Sequence, residues 1–493
     1  MLMERVTRDS RTGEAPGVRP LHLLLFLVTA IALRIATFGD PNLHVDESFY
    51  QTVGIAMHEG AIPYVDVWDR KPWGLFFLYY LIAFISYSPI AYQVIATIFA
   101  AATAWVIARL ASAWSTTRAG LLAGMAYLLW LTELQGFGGQ TPIFYNLFIA
   151  TAALLVFSAR DRLLRGQAPP SVAAAMALAG VAITIKQTAV FEASFLGLYA
   201  SARLLRSPMP RSLVWRPVLL WAAIGAAPTL AIAGWYAAEG YWGIYWHAMY
   251  TASANRPMFL YPTTMRFLIT FVILAPLLVV ATLSLADWKG ESRRFVTGWI
   301  AAAVIGLVFV PNFYMHYSLP LLVPLSAATA VFLARPVVGQ IAMAGLAAYS
   351  VCTFDPLDAR RTQQSIDAFA ELADVIRGHD DGSPLFVVDG PPQLYTLTGH
   401  AFPTPLVFPH HLGDANEKDL SHLSTLGETR RVLAQRPGIV VTPDKPREGP
   451  PNMEVLDTVY AYVRKNCRRV ANIETPDALT TARMDVWADC RKR

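Results

Sequence analysis

The chain of 493 residues is 55% hydrophobic and only 15% charged, where an ordinary soluble chain carries roughly a quarter charged. That deficit excludes a typical soluble protein and points to a membrane. The formal net charge of +5 is no nucleic-acid footprint, because the Arg residues sit in short loops between apolar runs, so no nucleic-acid partner is expected.

In chain order, residues 1–18 mix both charge signs with polar residues and read as a disordered cytoplasmic tail. No small-residue cleavage site follows the first apolar run, so Leu21 to Phe38 is expected to be a retained span. Further apolar segments fall near 73–88, 90–111, 118–131, 143–158, 171–186, 188–205, 216–238, 265–286, 295–311, 317–334 and 337–354. Their length approaches the roughly 20 residues a bilayer requires, and they lack the polar stripe of a soluble core helix. The expected fold is an all-α polytopic membrane domain, residues 19–354, of about 11 to 13 spans.

Three basic loops orient it: Arg160-Asp161-Arg162 with Arg165, Arg203 through Arg216, and Lys289 with Arg293 and Arg294. Cytoplasmic loops carry an excess of Lys and Arg, so these three should share the cytoplasmic side. The loops 39–72, 132–142, 239–264 and 312–316, and everything after about 355, then fall outside. Parity requires one segment between 73 and 131 to fail to span. The shortest, 118–131, is the expected partial helix, which membranes tolerate where protein buries it.

From Asp355 the composition turns soluble. Thr362 to Arg377 has helical periodicity, while Leu385-Phe-Val-Val and Gly438-Ile-Val-Val are strand-like runs that end in turns. Residues 355–493 are therefore expected to form a small extracytoplasmic α/β domain. The three cysteines, Cys352, Cys467 and Cys490, have no metal-ligand spacing. Cys467 and Cys490 are either a disulfide of an extracytoplasmic tail or two free thiols.

The first outside loop carries the chemistry. It reads His44-Val45-Asp46-Glu47-Ser48-Phe49-Tyr50, then Pro63-Tyr64-Val65-Asp66-Val67-Trp68-Asp69-Arg70-Lys71-Pro72. Residues 46–58 predict a short amphipathic helix along the membrane surface, with Phe49, Val53, Ala56 and Met57 toward lipid or protein. Asp46 and Glu47 then lie at its positively polarised N-terminus, which stabilises their ionised forms. A carboxylate there can accept the proton of an attacking hydroxyl. Arg70 and Lys71 can neutralise charge growing on a departing phosphate. Asp-Glu before a helix also serves as a plain N-terminal cap, so loop chemistry by itself leaves both readings open.

The run from His44 to Tyr50, followed by Pro63-Tyr64 and Asp69-Arg70-Lys71-Pro72, resembles the first loop of GT-C glycosyltransferases of the protein O-mannosyltransferase and lipid A aminoarabinose transferase type. That resemblance covers about 35 residues closely and roughly 350 loosely. It implies an inverting transfer of a monosaccharide from a polyprenyl-phosphate donor to a glycolipid, glycan or protein acceptor. It makes Asp46 the catalytic aspartate, with Glu47 positioning it or binding the sugar, and Lys71 the lysine that touches the donor phosphate. Ile185-Lys186-Gln187-Thr188 is similar to a recurring family element, and Gln135 to Asn146 occupies the second outside loop. Trp73 departs from the second proline of the pattern, and Glu133 and Asn146 stand where relatives place an acidic residue.

Candidate donor-phosphate ligands are thus Arg70, Lys71, Lys186 and Arg256. Candidate sugar or acceptor contacts are Asp69, Tyr64, Asn146 and His316. Lys186 also reads as a cation snorkelling to headgroups. The aromatic run Trp235 to Tyr250 reads as an interfacial belt, or as an isoprenoid groove with Arg256 beside it. No cofactor or metal is required, although a divalent ion stays open. The expected location is the inner membrane, multi-pass, with the active site and tail outside. A polymerase or ligase using a pyrophosphate-linked donor is the nearest rival. A transporter or flippase would place ionisable groups near the bilayer midplane, and a non-catalytic scaffold would act through its tail alone.

Overall fold

The structure is a computed structural model that describes residues 17–254, 260–445 and 449–490. Residues 1–16 of the expected tail lie outside these. The first six helices are α1 Leu21–Arg34, α2 Val45–His58, α3 Trp73–Ala83, α4 Pro89–Ser112, α5 Thr117–Glu133 and α6 Thr141–Ser158. Later helices span Pro170–Ile185, Ala189–Leu205, Arg211–Ala238, Leu260–Asp287, Glu291–Phe309, Leu319–Ala328 with Ala330–Leu333, and Val338–Phe354. Five of the described helices are long and apolar enough to cross a bilayer unaided, among them α4 and α6. Several others are shorter and apolar.

End contacts sort the loops onto two ends of the bundle. At one end, Arg203 Nη1 meets Glu291 Oε2 at 3.1 Å, Arg335 pairs with Asp287, and Trp114 packs on Trp288. All three basic loops gather there, as expected of loops that share a side. At the other end, Tyr236 donates to the Pro63 carbonyl at 3.1 Å. There too Thr353 donates to Glu133 at 2.7 Å, and Phe137 stacks on Phe354. α2 and the C-terminal domain lie at this second end. Apart from α2 and α3, the helices named above run alternately between the ends as eleven passages.

The partial segment is α3, not 118–131. α3 has 11 residues, about 16 Å at 1.5 Å per residue, about half the thickness of a hydrocarbon core. α5 has 17 residues, from Thr117 to Glu133, about 25 Å. Both ends of α3 stay beside α2: near its start Phe76 packs on Phe49 and Tyr50, and at its end the His58 ring packs on Tyr80 and Phe84, with Gln51 donating to the Tyr87 carbonyl at 2.8 Å. The apolar run continues to residue 88 in sequence, but the helix stops at Ala83 and the chain turns at Ser86 to Ser88. Gly54 lets α2 press onto α3, because a Cβ there would collide with the Tyr79 backbone.

α2 itself is buried in protein nearly all round, with Phe49, Tyr50 and Val53 at or below 1% exposure. After Phe354, the helix Arg360–Gly378 precedes a four-stranded sheet of order β1-β2-β4-β3. β1 (Leu385–Val387) pairs parallel to β2 (Ile439–Pro443). β3 (Arg468–Pro476) and β4 (Thr481–Ala488) form an antiparallel hairpin that joins the sheet through β4. Cys467 and Cys490, which flank the hairpin, are disulfide-bonded. β1 and β2 were legible as apolar runs; the hairpin, rich in Arg and polar residues, was not.

Candidate active site

α2 begins where the His44 side chain accepts a hydrogen bond from the Asp46 amide at 3.2 Å, closing the first turn. Adjacent residues of a helical first turn diverge by about 100°. Asp46 therefore faces the cavities, while Glu47 turns back against Gly138, leaving no room for a Cβ at that glycine. A second turn presents the cations. The Asp69 carboxylate accepts from the Arg70 amide and, at 2.9 Å, from the Lys71 amide. Tyr64 supports this turn from beneath, donating to the Lys71 carbonyl at 2.9 Å.

The two ends of the loop converge. Lys71 Nζ lies 3.5 Å from Asp46 Oδ1 and 3.9 Å from Asp69 Oδ1. His316 Nε2 stands 3.8 Å from Asp46 Oδ2, and its Nδ1 is 3.3 Å from Gln135 Oε1. The Lys71 ammonium also sits 5.4 Å from the Tyr50 ring centroid. Burial would raise the Asp46 pKa, but nearby positive charge, Lys71 foremost, overcomes it and holds the carboxyl well below its usual range. Burial lowers Lys71, and Asp46 with Asp69 more than reverse this, so it stays charged. Burial and the neighbouring His44 push His316 well below 6.5, so it is neutral at pH 7. Burial raises Glu47 to about 8, against the opposing pull of the Gly139 amide and Arg34.

Asp46, Lys71, His316 and Tyr317 line two neighbouring cavities in common. The first runs among the bundle helices and is walled by Thr141, Lys186, Gly306 and Leu307. The Lys186 ammonium lies there, 4.9 Å from the Tyr317 ring centroid. The second, about 890 Å³, opens between the bundle and the C-terminal domain. That domain supplies Phe408, His410, Glu417, Asp477 and Thr480 to its wall.

Several expected site residues sit elsewhere. Asn146 is buried in helix packing, donating to the Leu319 carbonyl at 3.1 Å and to Tyr127 at 3.3 Å, and lines neither cavity. Tyr64 and Asp69 lie beneath the cations and shape their turn. Glu47 is turned from both cavities. Arg70 lines the second cavity only, its Nη2 2.8 Å from Glu417 Oε1. Glu133 is taken by Thr353, and Gln135 stands beside His316 instead. Arg256 lies outside the described residues. Among the described residues, no three His, Cys, Asp or Glu side chains are grouped to hold a metal ion.

Sequence reasoning missed Tyr50, Tyr317 and the C-terminal contributions. Tyr50 follows Asp46 by four residues, one helical turn, and so shares its face. Tyr317 adjoins His316. Nothing in the sequence placed Phe408 or Glu417 near residues more than 300 positions earlier.

No known family's sequence profile matches the chain, and no curated relative is found by sequence. Solved structures do match. ArnT from Cupriavidus metallidurans bound to undecaprenyl phosphate superposes with a TM-score of 0.64 at 13% identity, over 95% of this chain and 98% of that one. ArnT from the same organism in the apo state gives 0.59 at 12% identity, over the same shares. At these identities the likeness concerns the fold. The chain is an integral membrane protein with the GT-C fold, in the architecture that ArnT adopts.

Proposed function

We propose that the protein is an inverting glycosyltransferase, moving a monosaccharide from a polyprenyl-phosphate donor to an acceptor at the extracytoplasmic face of the inner membrane. The observation that carries this reading is the Asp46–Lys71 pair, 3.5 Å apart, which lines both a cavity among the helices and a cavity open beneath a soluble domain. The similar ArnT structure holds undecaprenyl phosphate, which fits a lipid-phosphate donor for the first cavity. Its two ammonium groups, Lys71 and Lys186, suit a phosphate. The basic loops at the opposite end favour a cytoplasmic placement of that end. A disulfide in the C-terminal domain suits an oxidising compartment.

In the step envisaged, the acceptor oxygen attacks the anomeric carbon from the second cavity. The bond from that carbon to the phosphate oxygen breaks, its electron pair leaving with polyprenyl phosphate, and the acceptor proton passes to Asp46. When Lys71 turns its charge to the donor phosphate, Asp46 loses its strongest counterion and becomes more basic. One pair thus answers both needs, leaving-group neutralisation and base activation, in sequence. His316, neutral and beside Asp46, orients the carboxylate.

Asp46→Asn keeps the shape and removes the base. Transfer from radiolabelled polyprenyl-phosphate sugar by the purified variant should fall at least a hundredfold at unchanged membrane abundance. Activity comparable to wild type would refute the assignment.

A further inference from the structure

Resting on the transferase reading, we infer that the second cavity receives the hydroxyl face of an uncharged glycan rather than a phosphorylated acceptor. The two cavities differ in what their cations are doing. On the first cavity, Lys186 rests on the Tyr317 ring and has no carboxylate within ion-pair distance among the described residues, so a phosphate entering there meets available positive charge. On the second, Arg70 is bound to Glu417 at 2.8 Å; Lys71 faces both cavities, holds Asp46 and Asp69, and is the cation that the transfer step assigns to the donor phosphate. Asp46, Glu417 and Asp477 line this cavity with Arg70, Lys71 and the imidazoles of His44, His316 and His410, whereas Asp46 and Glu192 accompany Lys71 and Lys186 in the first.

An anionic headgroup entering the second cavity would have to displace Glu417 from Arg70. The Glu417 side chain is only 3% exposed, and breaking a buried ion pair costs free energy. A neutral sugar faces no such penalty. Its hydroxyls can donate to carboxylates and accept from a guanidinium without breaking the pair, and its C–H faces suit the Tyr314, Tyr317 and Phe408 rings on the same wall. The nucleophile agrees. A phosphate acceptor is already ionised at pH 7 and needs no base, whereas a neutral hydroxyl needs the carboxylate that Asp46 presents. The wall also favours a sugar over an extended peptide. The C-terminal domain faces the cavity with the turn Asp477–Thr480, whose amides at 479 and 480 are already held by the Asp477 carboxylate, not with a free strand edge.

The linkage formed reports the acceptor class. Envelope fractions from a strain lacking the protein, complemented with wild type or Asp46→Asn, are compared by mass spectrometry for a sugar that wild type alone adds. The product is then treated with mild acid, which cleaves a glycosyl phosphodiester, and separately with alkali, which releases sugars from Ser or Thr by β-elimination. The expected result is a product that survives both. Release by mild acid would overturn the inference in favour of a phosphate acceptor, and release by alkali in favour of a protein. Absence of any added sugar, with both proteins present in the membrane, would instead overturn the transferase reading itself.

Discussion

Glu47→Gln separates a buried neutral carboxyl from a buried ion pair. Glu47 is 0% exposed, and burial raises its pKa to about 8 from 4.5. A folded-state pKa above the unfolded one contributes stability that is fully present below about 4.5 and is lost as pH rises through about 8. Between pH 6 and pH 8 the unfolded chain releases this proton freely while the folded chain still holds it. With one pKa unit worth 1.36 kcal/mol, the loss over that interval is roughly 2 kcal/mol, or a few degrees of melting temperature. Glutamine has the same shape and no proton to lose, so the variant should match wild type near pH 5 and exceed it at pH 8. Intrinsic-fluorescence melting of the full chain in detergent at pH 5, 6, 7 and 8 reads this directly. Should Glu47 instead be ionised against Arg34, the variant would be less stable at every pH, because it would strand the guanidinium. That result, or parallel curves for the two proteins, would refute the reasoning.

Lys71→Met should lower kcat/KM for the lipid donor by about two to three orders of magnitude, the usual loss when a charge stabiliser is removed. The same change removes the cation that holds the Asp46 pKa down, so the acid limb of the pH-rate profile should move to higher pH; an unmoved limb would show that the two side chains are not coupled. Cys467→Ser opens a link spanning 23 residues and should destabilise the C-terminal domain by about 3 kcal/mol by chain entropy. Faster limited proteolysis within 468–490 would show it, and an unchanged cleavage rate would contradict it.

The membrane class, the loop motif and the soluble tail are readable because each rests on composition or on residues close in sequence. The common placement of the three basic loops followed from charge alone. Helix length inside an apolar run is harder. Residues 73–88 are as apolar as a true span, and only the break after Ala83, set by packing of α3 on α2, makes the segment return to its own side. Side-chain direction was the other limit. Arg70 and Lys71 look equivalent as neighbours, yet of the two only Lys71 reaches the first cavity, while both line the second. Asn146 carries the right chemistry but points at Tyr127 and Leu319. Glu417 and Phe408 reach the site only because the C-terminal domain docks on the first loop, where the Trp68 amide donates to the Pro405 carbonyl at 2.9 Å and Phe49 packs on Phe408 at 5.1 Å.

A carboxylate that lines two neighbouring cavities has a kinetic meaning under the proposed transfer. Each ligand would reach it from its own cavity, without crossing the volume of the other. In that transfer a spent lipid carrier would return among the helices while the other product still occupied the second cavity, so the two departures would be independent.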